Sequence, residues 1–239
     1  MTSYYGGKKK LGREIAVVIH AFTDSLNPSS YCEPFCGMCG VLRHINVGTT
    51  KYAGDINESV IMMWKAAQNG WLPDITDLSK ERYAHLRAAP NSAERGFFGH
   101  ALSFHGKFFH GYWTSQRSCT EQHSRCLHAR KCVQDIATEL GRKNVMFSHG
   151  SYGQFSDLTN SVIYCDPPYI GTQNSTGWKF DSNTFENWCY MMAAKGNYIF
   201  ISGYTPPGEI IWTKPTQLRT SKGNIQRTEK LGYIAPRTP

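Results

Sequence analysis

Apolar positions recur every three or four residues at Leu11, Ile15, Val18, Ile19 and Phe22, which predicts a helix over 11–22 with one packed face. Asn27-Pro28 breaks that period, and a short strand through Tyr31 and Cys32 is expected to run into Glu33. A turn carrying Gly37 and Gly40 follows, and a helix is expected from near Val41. Residues 51–53 predict a second brief strand ending at Asp55-Ile56-Asn57, and Val60, Ile61, Trp64 and Ala67 mark the buried face of the next helix. Strand character resumes over 144–147. Ser161-Val162-Ile163-Tyr164-Cys165 is β-branched and aromatic enough to predict a buried strand, and 198–202 predicts another. Asn183-Thr184-Phe185-Glu186 carries a capping-box-like spacing ahead of a helix through Ala194.

Short strands alternating with helices predict an α/β fold built on a doubly wound sheet. From about Gly70 to Gly141 the texture changes to helical stretches joined by segments rich in Pro, Gly, His and aromatics. There Cys119, Gln122, Cys126, Ala129, Val133, Ile136 and Leu140 fall at alternating spacings of three and four, so one long helix turns that face to the core. The expected organisation is a catalytic domain of residues 1–69 and 142–239, interrupted by an inserted, mainly helical lobe of residues 70–141. No internal repeat is visible.

Composition narrows the class. At 239 residues, 40% hydrophobic and 13% aromatic, the chain can bury a substantial core and is not disordered. No apolar run approaches the roughly 20 residues that span a bilayer, and nothing resembles a signal peptide, so an intracellular protein without a membrane partner is expected. The net charge is +8. Lys8, Lys9, Lys10 and Arg13 precede the first acid, Glu14, and the tail from Lys214 carries Arg219, Lys222, Arg227, Lys230 and Arg237 against Glu229 alone. Two basic regions fit a nucleic-acid partner, and Arg117, Arg125, Arg130 and Lys131 read either as phosphate contacts or as a solvated face.

The candidate chemistry centres on Asp166-Pro167-Pro168-Tyr169, just after the buried run. The prolines cannot donate a backbone hydrogen bond and stiffen the loop, and in an open α/β sheet ligands sit at such strand ends. A carboxylate, a carbonyl with no competing N–H nearby and an aromatic face suit a planar amine such as a nucleobase; the plainer reading is a turn with an incidental Tyr. Upstream, the strand, Gly-bearing turn and helix around 33–40 form the pattern that receives a nucleotide-like cofactor. Asp55 stands near the spacing at which an acid meets ribose hydroxyls, although an acid favouring the following helix, with Asn57 as N-cap, accounts for it equally. Tyr4-Tyr5-Gly6-Gly7-Lys8 lets backbone amides approach a ligand and adds a positive charge. Residues 170–178 are rich in Gly, Thr, Ser and Asn and stand where they can close over a base; Trp178 and Phe180 read as groups holding an opened strand or as ordinary packing.

Two metal readings compete. Cys32-x-x-x-Cys36-x-x-Cys39 matches the cluster-binding spacing of radical AdoMet enzymes, but Met38 stands where that family carries an aromatic, and Asp166 to Tyr169 would have no role. A zinc site from Cys119, His123, Cys126 and His128 conflicts with a helical spacing that aims these side chains apart. The eight cysteines are expected to be reduced, and no metal is expected.

Taken together, Tyr4 to Lys8, Glu33 to Gly40, Asp55-Ile56-Asn57 and Asp166 to Tyr169 resemble, in this order, the Dam-type DNA N6-adenine methyltransferases, and the resemblance spans most of the chain. It implies a Rossmann-like AdoMet-dependent sheet acting on double-stranded DNA, with the inserted lobe recognising the target sequence. It assigns Tyr4, Gly7, Lys8, Glu33, Pro34, Phe35, Gly37, Asp55 and Asp166 to S-adenosyl-L-methionine, with Asp55 on the ribose. Asp166, Pro167, Pro168 and Tyr169 fall to a flipped-out adenine. Arg227-Thr228-Glu229 looks like the family's closing segment. Cys39 departs from the second glycine of the cofactor turn, and Tyr4 from a common Trp. An RNA adenine or other planar-amine methyltransferase, and a catalytically silent DNA-binding relative, are the alternatives.

Overall fold

The computed structural model describes residues 8, 10–113, 119–168, 180–220 and 223–236. Five parallel strands, β1 (Ser30–Glu33), β2 (Thr50–Asp55), β3 (Val145–His149), β4 (Ser161–Cys165) and β5 (Tyr198–Gly203), join an antiparallel pair, β6 (Glu209–Thr220) and β7 (Gly223–Ile234). One sheet results, in the order β3-β2-β1-β4-β5-β7-β6. The helices are α1 (Gly12–Thr23), α2 (Glu58–Gln68), α3 (Lys80–Ala88), α4 (Ala93–Ala101), α5 (Cys119–Gly141) and α6 (Ser182–Ala194).

Alternation along the strands builds a core on each face. Val162 and Tyr164 of β4 join a cluster with Ile15 and Ile19 of α1, Trp64 of α2, Phe98 of α4 and Val133 and Leu140 of α5. Their neighbours Ile163 and Cys165 point the other way, to Phe185, Trp188 and Met192 of α6. Each such side chain, fully buried, contributes about 1.5–3 kcal/mol, and burial on both sides is why β4 reads as an unbroken apolar run. The α/β doubly wound architecture expected from the pattern is therefore the observed one. The inner face of α5 shares its cluster with α2 and α4, so the helices between β2 and β3 are seated on the sheet rather than detached from it.

Three local expectations change. No helix begins near Val41: Leu42–His44 form a single 3-10 turn and Ile45 is already extended, at φ −86 and ψ 134. β2 starts at Thr50, and Gly48, at φ +71, lies so close that a Cβ there would fall 2.6 Å from the Ser30 carbonyl carbon, so the connection has no length for a helix. Asn57 occupies the N-cap position of α2 without a side-chain cap: its carbonyl, not its side chain, accepts the Val60 amide at 3.0 Å, and its own N–H goes to the Asp55 carboxylate. At α6 the cap is Asp181, which accepts from the Asn183 and Thr184 amides, two residues before the predicted box. The basic tail, for which the pattern predicts no element, forms a hairpin: β6 and β7 pair from Glu209 to Thr220, and their Pro215 is tolerated because β6 is an edge strand.

Candidate active site

Strand order reverses between β1 and β4, and the crevice beyond their C-terminal ends is where an open α/β sheet receives a ligand. Asp166, Pro167 and Pro168 leave β4 there, half-buried. The Lys8 ammonium, 8% exposed, donates to Asp166 Oδ1 at 2.6 Å and stands 3.4 Å from Glu229 Oε1. Burial alone would lower the Lys8 pKa, but the Asp166 and Glu229 carboxylates more than offset it and the net direction is upward, so the ammonium is retained. The backbone around Lys8 is fixed as firmly: its carbonyl accepts the Leu11 and Gly12 amides at 3.0 and 2.6 Å. Gly12 and Gly40 meet there, with a Cβ on Gly12 falling 1.9 Å from the Gly40 carbonyl oxygen. The turn after β1 and the start of α1 therefore close on Lys8 only because both residues lack side chains.

Glu33 ends β1 with 2% exposure, its carboxyl accepting the Tyr31 hydroxyl at 2.7 Å. Burial, helped by the Asp166 charge, pushes its pKa up to about 8 against the Tyr31 and Leu42 hydrogen bonds, so it is mostly protonated at neutral pH. In the turn that follows, Gly37 (φ +44) donates its N–H to Asp55 Oδ2 at 2.9 Å, and its carbonyl accepts the Trp64 indole at 2.8 Å. Asp55 Oδ1 accepts the Asn57 amide at 2.8 Å. The acid at the end of β2 thus ties the Gly-bearing turn to the first turn of α2, and burial raises its pKa despite both amides. Cys39 itself holds φ +55, the left-handed conformation that a glycine takes most easily, so the departure from the family's second glycine keeps the backbone path.

Beside this turn, Phe35 packs on Tyr152 at 5.8 Å, Phe180 at 6.1 Å and Phe185 at 5.5 Å between ring centroids. Tyr152 follows β3, where the Gly150 amide bonds to the Asp55 carbonyl. The aromatic wall and the ribose-candidate acid are therefore neighbours.

Of the residues singled out by sequence, Lys8, Glu33, Pro34, Phe35, Gly37, Asp55, Asp166, Pro167 and Pro168 lie along the C-terminal ends of β1, β2 and β4 or the turns leaving them. Tyr4, Gly7, Tyr169 and Trp178 lie outside the described residues. Phe180 packs against Phe35 and Phe185, which favours the plainer reading for it. Cys32 faces the α6 side of the sheet while Cys36 and Cys39 belong to the opposite cluster, and burial pushes all three thiols up in pKa, so the three do not converge as thiolates. On α5, Cys126 is buried while His123 and His128 are exposed. Among the described residues no group of three His, Cys, Asp or Glu side chains is placed to hold a metal.

Arg125 is not a surface cation: it donates to the Ser103 carbonyl at 2.9 Å and lies 4.4 Å over the Trp113 ring. Sequence reasoning missed the part of Glu229 in the site, as well as Tyr152 and Gly12. The signal for Glu229 was its isolation as the single acid of a basic tail; the contact itself spans most of the chain.

The family described as D12 class N6 adenine-specific DNA methyltransferase matches residues 4–188. No curated protein matches the chain. Among solved structures, the rRNA methyltransferase aviRa from Streptomyces viridochromogenes shares 12% identity at a TM-score of 0.44, over 98% of this chain and 87% of its own. A protein from Pyrococcus horikoshii provisionally described as an RNA methyltransferase shares 8% identity at a TM-score of 0.46, over 95% of this chain and 84% of its own. Likenesses this distant say nothing of substrate, and the fold rests on the strand order itself.

Proposed function

The chain belongs to the D12 class of N6 adenine-specific DNA methyltransferases, AdoMet-dependent enzymes, and from that premise we propose which of its residues carry the reaction. The observation that carries the assignment is the position of Asp166-Pro167-Pro168 at the end of β4, in the crevice where strand order reverses, with the Asp166 carboxylate held by Lys8.

The donor set fits a cationic cofactor bearing a ribose. Asp55 stands at the end of β2 beside the Gly37 turn, two carboxylates share one ammonium at Lys8, and Phe35 and Tyr152 offer aromatic faces. When bound, AdoMet supplies an electrophilic methyl group on a positively charged sulfur. We assign Asp55 to the ribose hydroxyls, and Tyr4, Gly7, Glu33, Pro34, Phe35 and Gly37 to the walls of the cofactor site.

Adenine N6 is a poor nucleophile because its lone pair is delocalised into the ring. Acceptors aimed at its two N–H groups favour a geometry in which that pair is freed, and we assign the Asp166 carboxylate and the Pro167 carbonyl to them. Pro168 stiffens the loop and Tyr169 stacks on the ring. The Asp166 carboxylate would also favour the positive charge that N6 gains as the methyl–sulfur bond breaks and its electron pair stays on sulfur, and it would be the adjacent acceptor for the proton that N6 then loses. Positioning and preorganised acceptors supply the rate, and no metal is needed for either. A duplex hides N6 from such a crevice, so double-stranded DNA must present its adenine flipped out. Residues 70–141 are the lobe we assign to reading the target, and 1–69 with 142–239 the catalytic domain.

Purified protein incubated with methyl-labelled AdoMet and either duplex DNA or RNA, followed by digestion to nucleosides, tests the reading. Label in N6-methyldeoxyadenosine is expected. Label confined to RNA or protein would overturn it.

A further inference from the structure

We propose that Glu229 is a positioning residue for methyl transfer, acting through the Lys8 ammonium to hold the Asp166 carboxylate in place and to keep the site net negative. The inference rests on the assignment of Asp166 to the target amine.

Glu229 owes its place to strand geometry. β7 pairs with β5 only from Ile234 back to Lys230, opposite Gly203, so Glu229 is the first residue of β7 past the end of β5. Side chains alternate along a strand, and Glu229 therefore shares a face with Leu231, which is fully buried in the core, while Thr228 is exposed. A carboxylate 5% exposed on that face, beside the carboxylate of Asp166, is tolerable only with a cation between them. Lys8 is that cation, at 2.6 Å from Asp166 and 3.4 Å from Glu229.

Counting formal charges gives the consequence. Lys8 against Asp166 alone sums to zero, and its ammonium would then oppose both a cationic sulfur and an amine that turns positive. With Glu229 the three groups sum to −1, so the ammonium can orient Asp166 without cancelling the field that favours the transition state. Among the described residues the neighbouring Glu33 does not supply this charge at neutral pH, since burial raises its pKa to about 8. The hairpin that sequence alone left as a basic tail thus delivers the second carboxylate.

The test uses the full chain and three variants, Glu229→Gln, Lys8→Met and the two combined. Single-turnover methylation of duplex DNA at saturating AdoMet is compared with the Kd for S-adenosylhomocysteine and with Tm. Glu229→Gln is expected to slow single turnover about tenfold with that Kd and Tm close to wild type, and the double variant to be no slower than Lys8→Met. A wild-type rate in Glu229→Gln, or losses that multiply in the double variant, overturns the proposal. If Glu229→Gln alone does not fold, the Lys8→Met background decides, since any further slowing on adding Glu229→Gln there is also fatal. A wild-type protein that labels no adenine would instead fail the reading of the active site, a separate result.

Discussion

The Asp55 carboxylate accepts the Gly37 amide at 2.9 Å, which makes the acid after β2 and the turn after β1 a single unit. Its other oxygen accepts the Asn57 amide, so the same residue also fixes the entry to α2. A ligand held by Asp55 would therefore be held by a group already rigid in the free protein, which reduces the ordering cost of binding.

Asp55→Ala is accordingly expected to do two things at once. Loss of two charge-assisted bonds to backbone amides should cost about 2 kcal/mol of stability, and the S-adenosylhomocysteine Kd should rise roughly tenfold or more. Denaturant unfolding and equilibrium titration read the two effects. A destabilised variant that binds S-adenosylhomocysteine like wild type would return Asp55 to a purely structural part.

Two arginines should separate stability from DNA binding. Arg125 bonds the Ser103 carbonyl and covers Trp113, so Arg125→Ala is expected to lower stability by about 1–2 kcal/mol. Arg227 stands two residues beyond Glu229 on the same face of β7, past the end of β5, with its guanidinium 4.7 Å over the Tyr204 ring and half-exposed. Arg227→Ala should weaken DNA binding and flatten the salt dependence by about one unit of slope, while the S-adenosylhomocysteine Kd stays unchanged. An unaltered salt slope would remove Arg227 from the DNA contact.

The contrast between these two arginines shows what the sequence could carry. Charge pattern located the basic regions, but whether a guanidinium meets phosphate or a neighbouring carbonyl depends on contacts such as that of Arg125 with Ser103, which no local period encodes. The sheet was legible because β4 and β5 are buried on both faces and β1 ends in a Gly-bearing turn. The β6–β7 hairpin was not, since β6 is an edge strand in which none of residues 209–217 is fully buried, so no apolar alternation marks it. The same limit hid Glu229: an acid near the C-terminus meeting a lysine near the N-terminus is visible only once β5 and β7 pair.

Glu33 gives a prediction with a definite sign. Its pKa rises from an ordinary 4.5 to about 8 on folding, so between those values the folded protein holds a proton that the unfolded chain has lost. Stability must then fall as pH climbs through that window and level off above it, at up to about 1.4 kcal/mol per pH unit. Glu33→Gln keeps an oxygen to accept the Tyr31 hydroxyl and removes the titration. Relative to wild type, the variant is expected to gain stability steadily from pH 5 to pH 8, measured by urea unfolding. A difference between the two proteins that does not change with pH would show that Glu33 titrates normally.

Asp166 carries the sharpest expectation, because the hydrogen bond we assign to it from the target amine would gain worth as that amine becomes positive. Asp166→Ala removes the acceptor and takes from the Lys8 ammonium its 2.6 Å partner, with Glu229 still 3.4 Å away. Turnover should fall about a hundredfold to a thousandfold, or roughly 3 to 4 kcal/mol, as for loss of one preorganised electrostatic partner. DNA binding should largely survive, since affinity for a duplex comes chiefly from cations on its phosphates and Asp166 is a carboxylate. Asp166→Asn keeps the shape and one carbonyl oxygen, but its amide group must face either the Lys8 ammonium or the adenine N–H, and each is a donor facing a donor. The Asn variant should therefore be nearly as slow as the Ala variant in single-turnover methylation while binding DNA normally. If it methylates at the wild-type rate, Asp166 serves only to anchor Lys8, and the catalytic part assigned to it fails.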